Sequence, residues 1–292
     1  MHAATDTERF RRALVPVIAV LLGAGVIAAA THRAPDDPAG RSSVEAAPEG
    51  STAPPPSATG GDGVPSVAPE DSSSASATST TQPPVLGPAS VPEPGVYRYE
   101  VDAVRDGEPS SRSEEREITV VGEEGASSIV QIVARSEGER QVSVLDWSPE
   151  GVLVRSTRIE TDEGATRDCT WDPSFPEFGR LVVDASWTLG STCSTEVAGL
   201  ATEFVVTGSG RVAGRAEVVH GGRTVHVWQV ERDRTTTITA TVGADSVEQV
   251  VREVGTFFVD PARGLVLRSD VTLTQSGTQQ GTTRRTSVLT EG

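Results

Sequence analysis

The chain has 292 residues, a formal net charge of −16, 36% hydrophobic and only 4% aromatic residues, which suits one modest globular domain joined to sequence too polar to pack. All 25 basic residues are arginine, and the acidic balance argues against a nucleic-acid backbone as partner, a contact that draws its affinity from a basic surface. Two cysteines and four histidines leave too few ligands for a multi-ligand zinc or iron–sulfur site, so no cofactor and no metal is expected.

The first element is an uncharged run from Ala13 to Ala30, preceded by Arg9, Arg11 and Arg12 and followed by His32 and Arg33. Eighteen residues at about 1.5 Å each give roughly 27 Å, close to the ~30 Å hydrocarbon core of a bilayer. Pro16 falls in its first turn, where a missing N–H costs least. The arginines before the run and Asp36 and Asp37 after it put residues 1–12 inside as a short cytoplasmic tail and the rest of the chain outside. The expectation is therefore a single-pass signal-anchor helix over 13–30 in the cell membrane. A cleaved signal peptide is the competing reading, because Ala28-Ala29-Ala30 supplies small residues for cleavage near Ala30.

Residues 31–93 are rich in Pro, Ser, Ala and Thr, hold twelve of the 19 prolines and contain no aromatic residue. Such a segment cannot offset its ordering entropy, and it reads as a disordered linker with local polyproline II character. As a coil of roughly sixty residues it would span about 40–50 Å.

From residue 94 to 292 the dominant pattern is alternation, the period of strands. Candidate strands are Val96–Val104, Arg116–Val121, Ser127–Arg135, Arg140–Trp147, Val152–Glu160, Leu181–Leu189, Ala201–Thr207, Ala213–His220, Thr224–Glu231, Thr235–Val242, Arg252–Val259, Leu265–Thr274 and Thr282–Leu289. Asp106-Gly107, Glu124-Gly125, Glu137-Gly138, Gly208-Ser209-Gly210, Gly221-Gly222 and Ser276-Gly277 read as turns between them. Short joints make consecutive strands antiparallel, so the domain is expected to be all-β, a curved meander sheet of about a dozen strands forming a half-barrel or open barrel. Asp245–Val254 carries both a helix N-cap signature and dense β-branching, and the continuation through Phe257 favours a strand.

Cys169 and Cys193 are the only cysteines, and in an exported domain an isolated pair reads as a disulfide. The loop of about 25 residues that it closes would be worth roughly 3.5 kcal/mol in the chain-entropy model. The enclosed stretch from Thr170 to Gly179 is rich in Pro and aromatics and short of alternation, which makes it the part of the domain most in need of a staple. His220 and His226 are the only histidines of the domain, and the strand period puts His226 on the face of Trp228 and Val230, in or beside the core. No G-x-S-x-G elbow is present, and Glu114-Glu115 and Glu123-Glu124 read as solvated edge charges, so no catalytic residue is assigned. Arg155, Arg158, Arg215, Arg232, Arg234, Arg284 and Arg285 read as polar faces and protected edges. Trp147, Trp171, Trp187 and Trp228 are separated by whole strands; they fill a shared core, or Trp147, Trp187 and Trp228 line an apolar pocket.

Three local patterns carry a resemblance: Gly95-Val96-Tyr97-Arg98-Tyr99; Phe175-Pro176 with Gly179 and then Ser186-Trp187-Thr188; and Phe258 to Arg268 with its Asp260-Pro261-Ala262-Arg263-Gly264-Leu265 core. Together they resemble membrane-anchored actinobacterial envelope proteins and, more distantly, the half-barrel proteins of the LolA and LppX/LprG kind. The resemblance implies a curved antiparallel sheet whose concave face holds an acyl chain, and a role in handling lipid or lipoprotein. This chain has no cysteine at the end of its apolar run, so the lipid anchor of the mycobacterial members is lacking.

The expectation for function is a membrane-tethered extracytoplasmic β domain that is not an enzyme and that binds an apolar or lipid ligand or an envelope protein. The alternatives are a secreted or anchored hydrolase with an unrecognised site and a structural envelope protein with no small-molecule ligand.

Overall fold

The computed structural model describes residues 86–162, 164–197 and 200–292. The expected cytoplasmic tail, the membrane helix over 13–30 and the linker as far as residue 85 lie outside the described residues. Twelve strands follow in chain order: β1 Gly95–Arg105, β2 Glu108–Glu124, β3 Ser127–Ser136, β4 Glu139–Ser148, β5 Gly151–Thr161, β6 Thr166–Gly179, β7 Ser186–Val197, β8 Leu200–His220, β9 Arg223–Val242, β10 Asp245–Asp260, β11 Leu265–Gly277 and β12 Gly281–Glu291. Each pairs antiparallel with the next, as the short joints required. The expected half-barrel is corrected by one further pairing, because β12 also pairs with β1, from Arg98 opposite Glu291 to Arg105 opposite Thr283, and closes the barrel. Closure removes both sheet edges, and alternation within one strand carries no mark of it.

The turns at Asp106-Gly107, Glu124-Gly125, Glu137-Gly138 and Gly221-Gly222 are those the glycines announced. Asp106 and Gly107 have φ of 51° and 96°, the paired left-handed geometry of a two-residue hairpin. Register shifts at Arg98/Tyr99, Val120/Gly122, Val144/Leu145, Val212/Gly214 and Phe258/Val259 are places where a strand bends and the sheet curls.

Several strand boundaries differ from expectation. Gly208-Ser209-Gly210 is not a turn but lies inside the 21-residue β8, and β9 runs unbroken through Arg232-Asp233-Arg234. The segment expected as an irregular Cys-bounded loop is β6, and the strand expected at Leu181–Leu189 begins only at Ser186. Asp245–Asp260 is strand throughout. Thirteen expected strands thus become twelve, with two split pairs fused and β6 gained.

Cys169 on β6 and Cys193 on β7 form the expected disulfide, with their Cα atoms 5.6 Å apart. It joins the strands whose ladder is thinnest, since Asp172 opposite Thr192 is their one registered pair. Alternation sends Val101, Phe204, Val230, Leu267, Leu273 and Leu289 inward to a buried core. The outward face carries cross-strand ion pairs such as Arg98 with Glu291, Arg135 with Glu117 and Arg252 with Asp233.

Residues 86–94 precede β1 as a strap. Leu86 and Ala89 pack on the core, Ser90 donates its N–H to the Pro261 carbonyl at 2.8 Å, and the Trp228 indole donates to the Gly87 carbonyl at 2.9 Å. The Tyr97 hydroxyl donates to the Glu93 carbonyl at 2.7 Å. Two of the three sequence patterns therefore have a local purpose: Tyr97 and the Asp260–Gly264 turn hold this strap.

Candidate ligand cavity

Eight-stranded barrels are just filled by their own side chains, and twelve strands enclose more than side chains can fill. A cavity of about 310 Å³ occupies the lumen, within the ~300–1,000 Å³ range of small-molecule sites. Its lining reaches from Leu265, where β11 begins, to Ser136 and Glu139, which end β3 and begin β4 at the opposite rim. Toward the first rim the wall is apolar, with Trp147, Val152, Phe175 and Phe178. Phe178 meets Phe257 edge to face at 5.9 Å between centroids, and Trp171 meets Phe175 likewise at 5.1 Å.

Among the remaining lining residues, which include Ile118, Leu145 and Val251, stand six arginines and four glutamates. Arg232 and Arg234 on β9 point inward because they are in phase with Val230, Thr236 and Ile238. Arg232, with its side chain 4% exposed, donates to Glu253 Oε1 at 2.6 Å and lies 2.5 Å from Glu177 Oε1, and its guanidinium stacks 4.4 Å from the Phe257 ring centroid. Arg234 donates to the other oxygen of Glu253 at 2.8 Å. Burial by itself would raise the Glu253 pKa, but Arg234 and Arg232 outweigh it and hold the carboxyl down to about 2. On β2, Arg116 donates to Glu114 at 2.7 Å and stacks 4.1 Å from the Tyr99 ring. Glu114 is likewise held below its ordinary value, burial being outweighed by Arg116 and Arg285.

Nearer the second rim the pairing is incomplete. Burial pushes Glu139 up to about 7 despite Arg167 and Arg112, and its Oε2 has no hydrogen-bond partner. Arg167 is 5% exposed and its guanidinium sits 4.7 Å from the Phe204 ring centroid, yet its Nε has no hydrogen-bond partner. Burial pushes Arg167 down to about 9, with Glu139 opposing and Arg234 reinforcing the fall. Arg285 on β12 is lowered to about 10 by burial, and its Nε is also without a partner.

Of the tryptophans expected at a pocket, Trp147 lines the cavity and is joined by Trp171. Trp187 packs instead against Gly179 and Gly210, and Trp228 is turned to the strap. His226, expected in or beside the core, is exposed on the β8–β9 hairpin, with Nδ1 3.3 Å from Glu217 Oε1. His220 lies 3.4 Å from an Arg263 nitrogen, and neither histidine lines the cavity. Among the described residues no cluster of His, Cys, Asp or Glu is placed to hold a metal ion.

Arg232, Arg234 and Arg285, assigned to polar faces, line the lumen, and Glu114, assigned to a solvated edge, does so too. The signal that marks them is phase, since each shares the parity of the apolar residues on its strand.

No protein-family model and no curated protein matches the chain. Among solved structures it is similar to the hypothetical lipoprotein YmcC from Escherichia coli (K12), at 14% identity over 66% of this chain and 83% of that one, with a TM-score of 0.28.

Proposed function

We propose that this chain is a membrane-tethered extracytoplasmic barrel that binds an apolar or amphiphilic small molecule in its lumen and is not an enzyme. The observation that carries this reading is the cavity of about 310 Å³, which is walled by aromatic and aliphatic side chains toward one rim. The charged outward face supports a barrel standing in water, since barrels that span lipid carry an apolar outward band. The disulfide supports an oxidising compartment. The absence of both histidines from the cavity lining supports a carrier over a hydrolase.

The test is native mass spectrometry with lipid extraction on the full chain, purified from its own envelope with the disulfide intact. Co-purified apolar ligand near one molecule per chain is the expected result. A chain that remains empty when titrated with lipid extract from that envelope overturns the reading, and leaves a structural or protein-binding module.

A further inference from the structure

The cavity lining holds six arginines and four glutamates, an excess of two positive charges in a chain whose net charge is −16. The excess is not spread evenly. Arg232, Arg234 and Arg116 are satisfied by Glu177, Glu253 and Glu114. Arg167 and Arg285 each keep a buried Nε–H with nothing to receive it. A buried donor left unpaired costs about 1–3 kcal/mol, and more when it is charged, so a lumen built this way is stabilised by an incoming anion.

Geometry places that anion. β6 and β12 are six strands apart in either direction round the ring, so the two arginines face one lumen from opposite walls. Phe204 stacks beneath the Arg167 guanidinium and leaves its donor-bearing edge for an oxyanion, the planar fork that matches carboxylate and phosphate. Glu139, the carboxylate acting on Arg167, begins β4, and Trp147 lies eight residues along the same strand, about 27 Å at ~3.4 Å per residue. The unpaired charge of Glu139 and Arg167 thus lies toward one rim, while Trp147, Phe175 and Phe178 lie toward the other, where the one carboxylate among them, Glu177, is already paired with Arg232.

We propose that the lumen takes a single-chain amphiphile with an anionic head, carboxylate or phosphate, the head bound by Arg167 with Arg285 facing it and the tail laid along Trp147, Phe175 and Phe178. This rests on the lumen-binding reading and adds the chemistry of the ligand. Glu139 is displaced as counter-charge when the head arrives, and near neutral pH, where its carboxyl already holds part of a proton, the displacement is easy.

The test uses the full chain in nanodiscs of neutral phosphatidylcholine, with empty nanodiscs as the partition reference. Dodecanoate, dodecyl phosphate and dodecan-1-ol are titrated in parallel. At least one anion is expected to bind about tenfold or more tightly than the alcohol, the increment of one charge-assisted hydrogen bond, and whichever anion is preferred identifies the head. Arg167→Gln is expected to bring the anions to the level of the alcohol while alcohol binding is kept. Alcohol binding as tight as that of both anions overturns the head assignment and leaves the lumen reading standing. If none of the three binds above the empty nanodiscs, the lumen reading itself falls. The comparison of anion with alcohol on the unmodified chain needs no variant, so misfolding of Arg167→Gln does not spoil the test.

Discussion

Glu253 receives two hydrogen bonds on one carboxylate oxygen from Arg232, at 2.6 Å and 3.1 Å, in a part of the lumen where the two side chains are 8% and 4% exposed. Arg234, directly opposite Glu253 in the β9–β10 ladder, takes the second oxygen. Gly255 stands opposite Arg232 in the same ladder, and the Val271 and Phe257 side chains fill the place where a Cβ on it would lie, Val271 at 2.9 Å. Removing one partner from such a buried group leaves uncompensated charge. Glu253→Gln is expected to cost on the order of 3 kcal/mol in urea denaturation. Arg252→Gln, which breaks an outward pair with Asp233, should leave the urea midpoint in place. Equal effects from the two variants would deny the inner network its structural role.

The same carboxylate sets an acid limit. Glu253 is held down to about 2 in the folded chain, against an ordinary value near 4.5, so its contribution is whole above 4.5 and lost as pH falls from there toward 2. Glu139 has the opposite sign. Its folded pKa of about 7 lies above the unfolded value, so the folded state holds the extra proton between 4.5 and 7 and stability falls as pH rises through that window. A fall on the order of 2 kcal/mol is expected between pH 5 and 7, and Glu139→Gln should flatten it. Arg167, Arg112 and Glu114 also act on this carboxyl, so their charges must be intact in the comparison. Denaturation curves at pH 5, 6 and 7 that superpose for the unmodified chain would sink this assignment.

The disulfide bridges the weakest seam of the ring. β6 and β7 share one registered pair, whereas β8 and β9 are paired from Ala201 opposite Thr241 to His220 opposite Arg223, with a single shift between Val212 and Gly214. Cys169→Ala with Cys193→Ala is expected to lower stability by roughly 3 kcal/mol, as removal of a loop of about 25 residues from the unfolded ensemble predicts. Amide exchange should then rise first along β6 and β7. Uniform acceleration around the barrel would show that the seam is not the site of first opening.

Strand identity, antiparallel order and the Cys169–Cys193 bridge were legible because each is local or depends on counting. Period-2 alternation in β1 and β11 is clean, and turns such as Asp106-Gly107 need positive φ that few residues tolerate. Closure was not legible, because the pairing of Tyr99 with Leu289 joins residues 190 positions apart and no strand pattern records its distant neighbour. The charged lumen was hidden for another reason. Arginine and glutamate in a strand are read as solvent-facing by default, and only their shared parity with Val230 and Ile238 marks Arg232 and Arg234 as inward.

Trp187 explains the false turn at Gly208-Ser209-Gly210. Its indole occupies the place where a Cβ on Gly210 would stand, and a Cβ on Gly179 would lie 2.6 Å from its ring. The glycines therefore admit a large side chain between β6 and β8 rather than reversing the chain. Gly210→Ala should displace the indole and cost about 1–3 kcal/mol through overpacking. Loss of stability with a red-shifted tryptophan emission is the expected pair of readouts, and a neutral substitution would show that the indole has room to shift.

The strap over residues 86–94 is held by a turn with a strict requirement at Gly264. Its φ is +65°, its N–H donates to the Asp260 carbonyl at 2.9 Å, and a Cβ there would overlap the Ser90 carbonyl oxygen. Asp260 in turn accepts the Ala262 N–H on Oδ1 at 2.9 Å, fixing the turn before the strap reaches it. Beneath the strap, Ala89 shares a small cleft with Trp147, Leu181 and Val259, so lifting it bares apolar surface beside a cavity-lining tryptophan. Gly264→Ala strains the turn and pushes the strap from its seat. The Ser90 amide, protected by the Pro261 carbonyl, should then exchange at least tenfold faster, and binding of a hydrophobic dye should rise, while the barrel amides of β3 and β4 keep their rates. Unchanged exchange at Ser90 would mean that the strap is held by Trp228 and Gly87 alone.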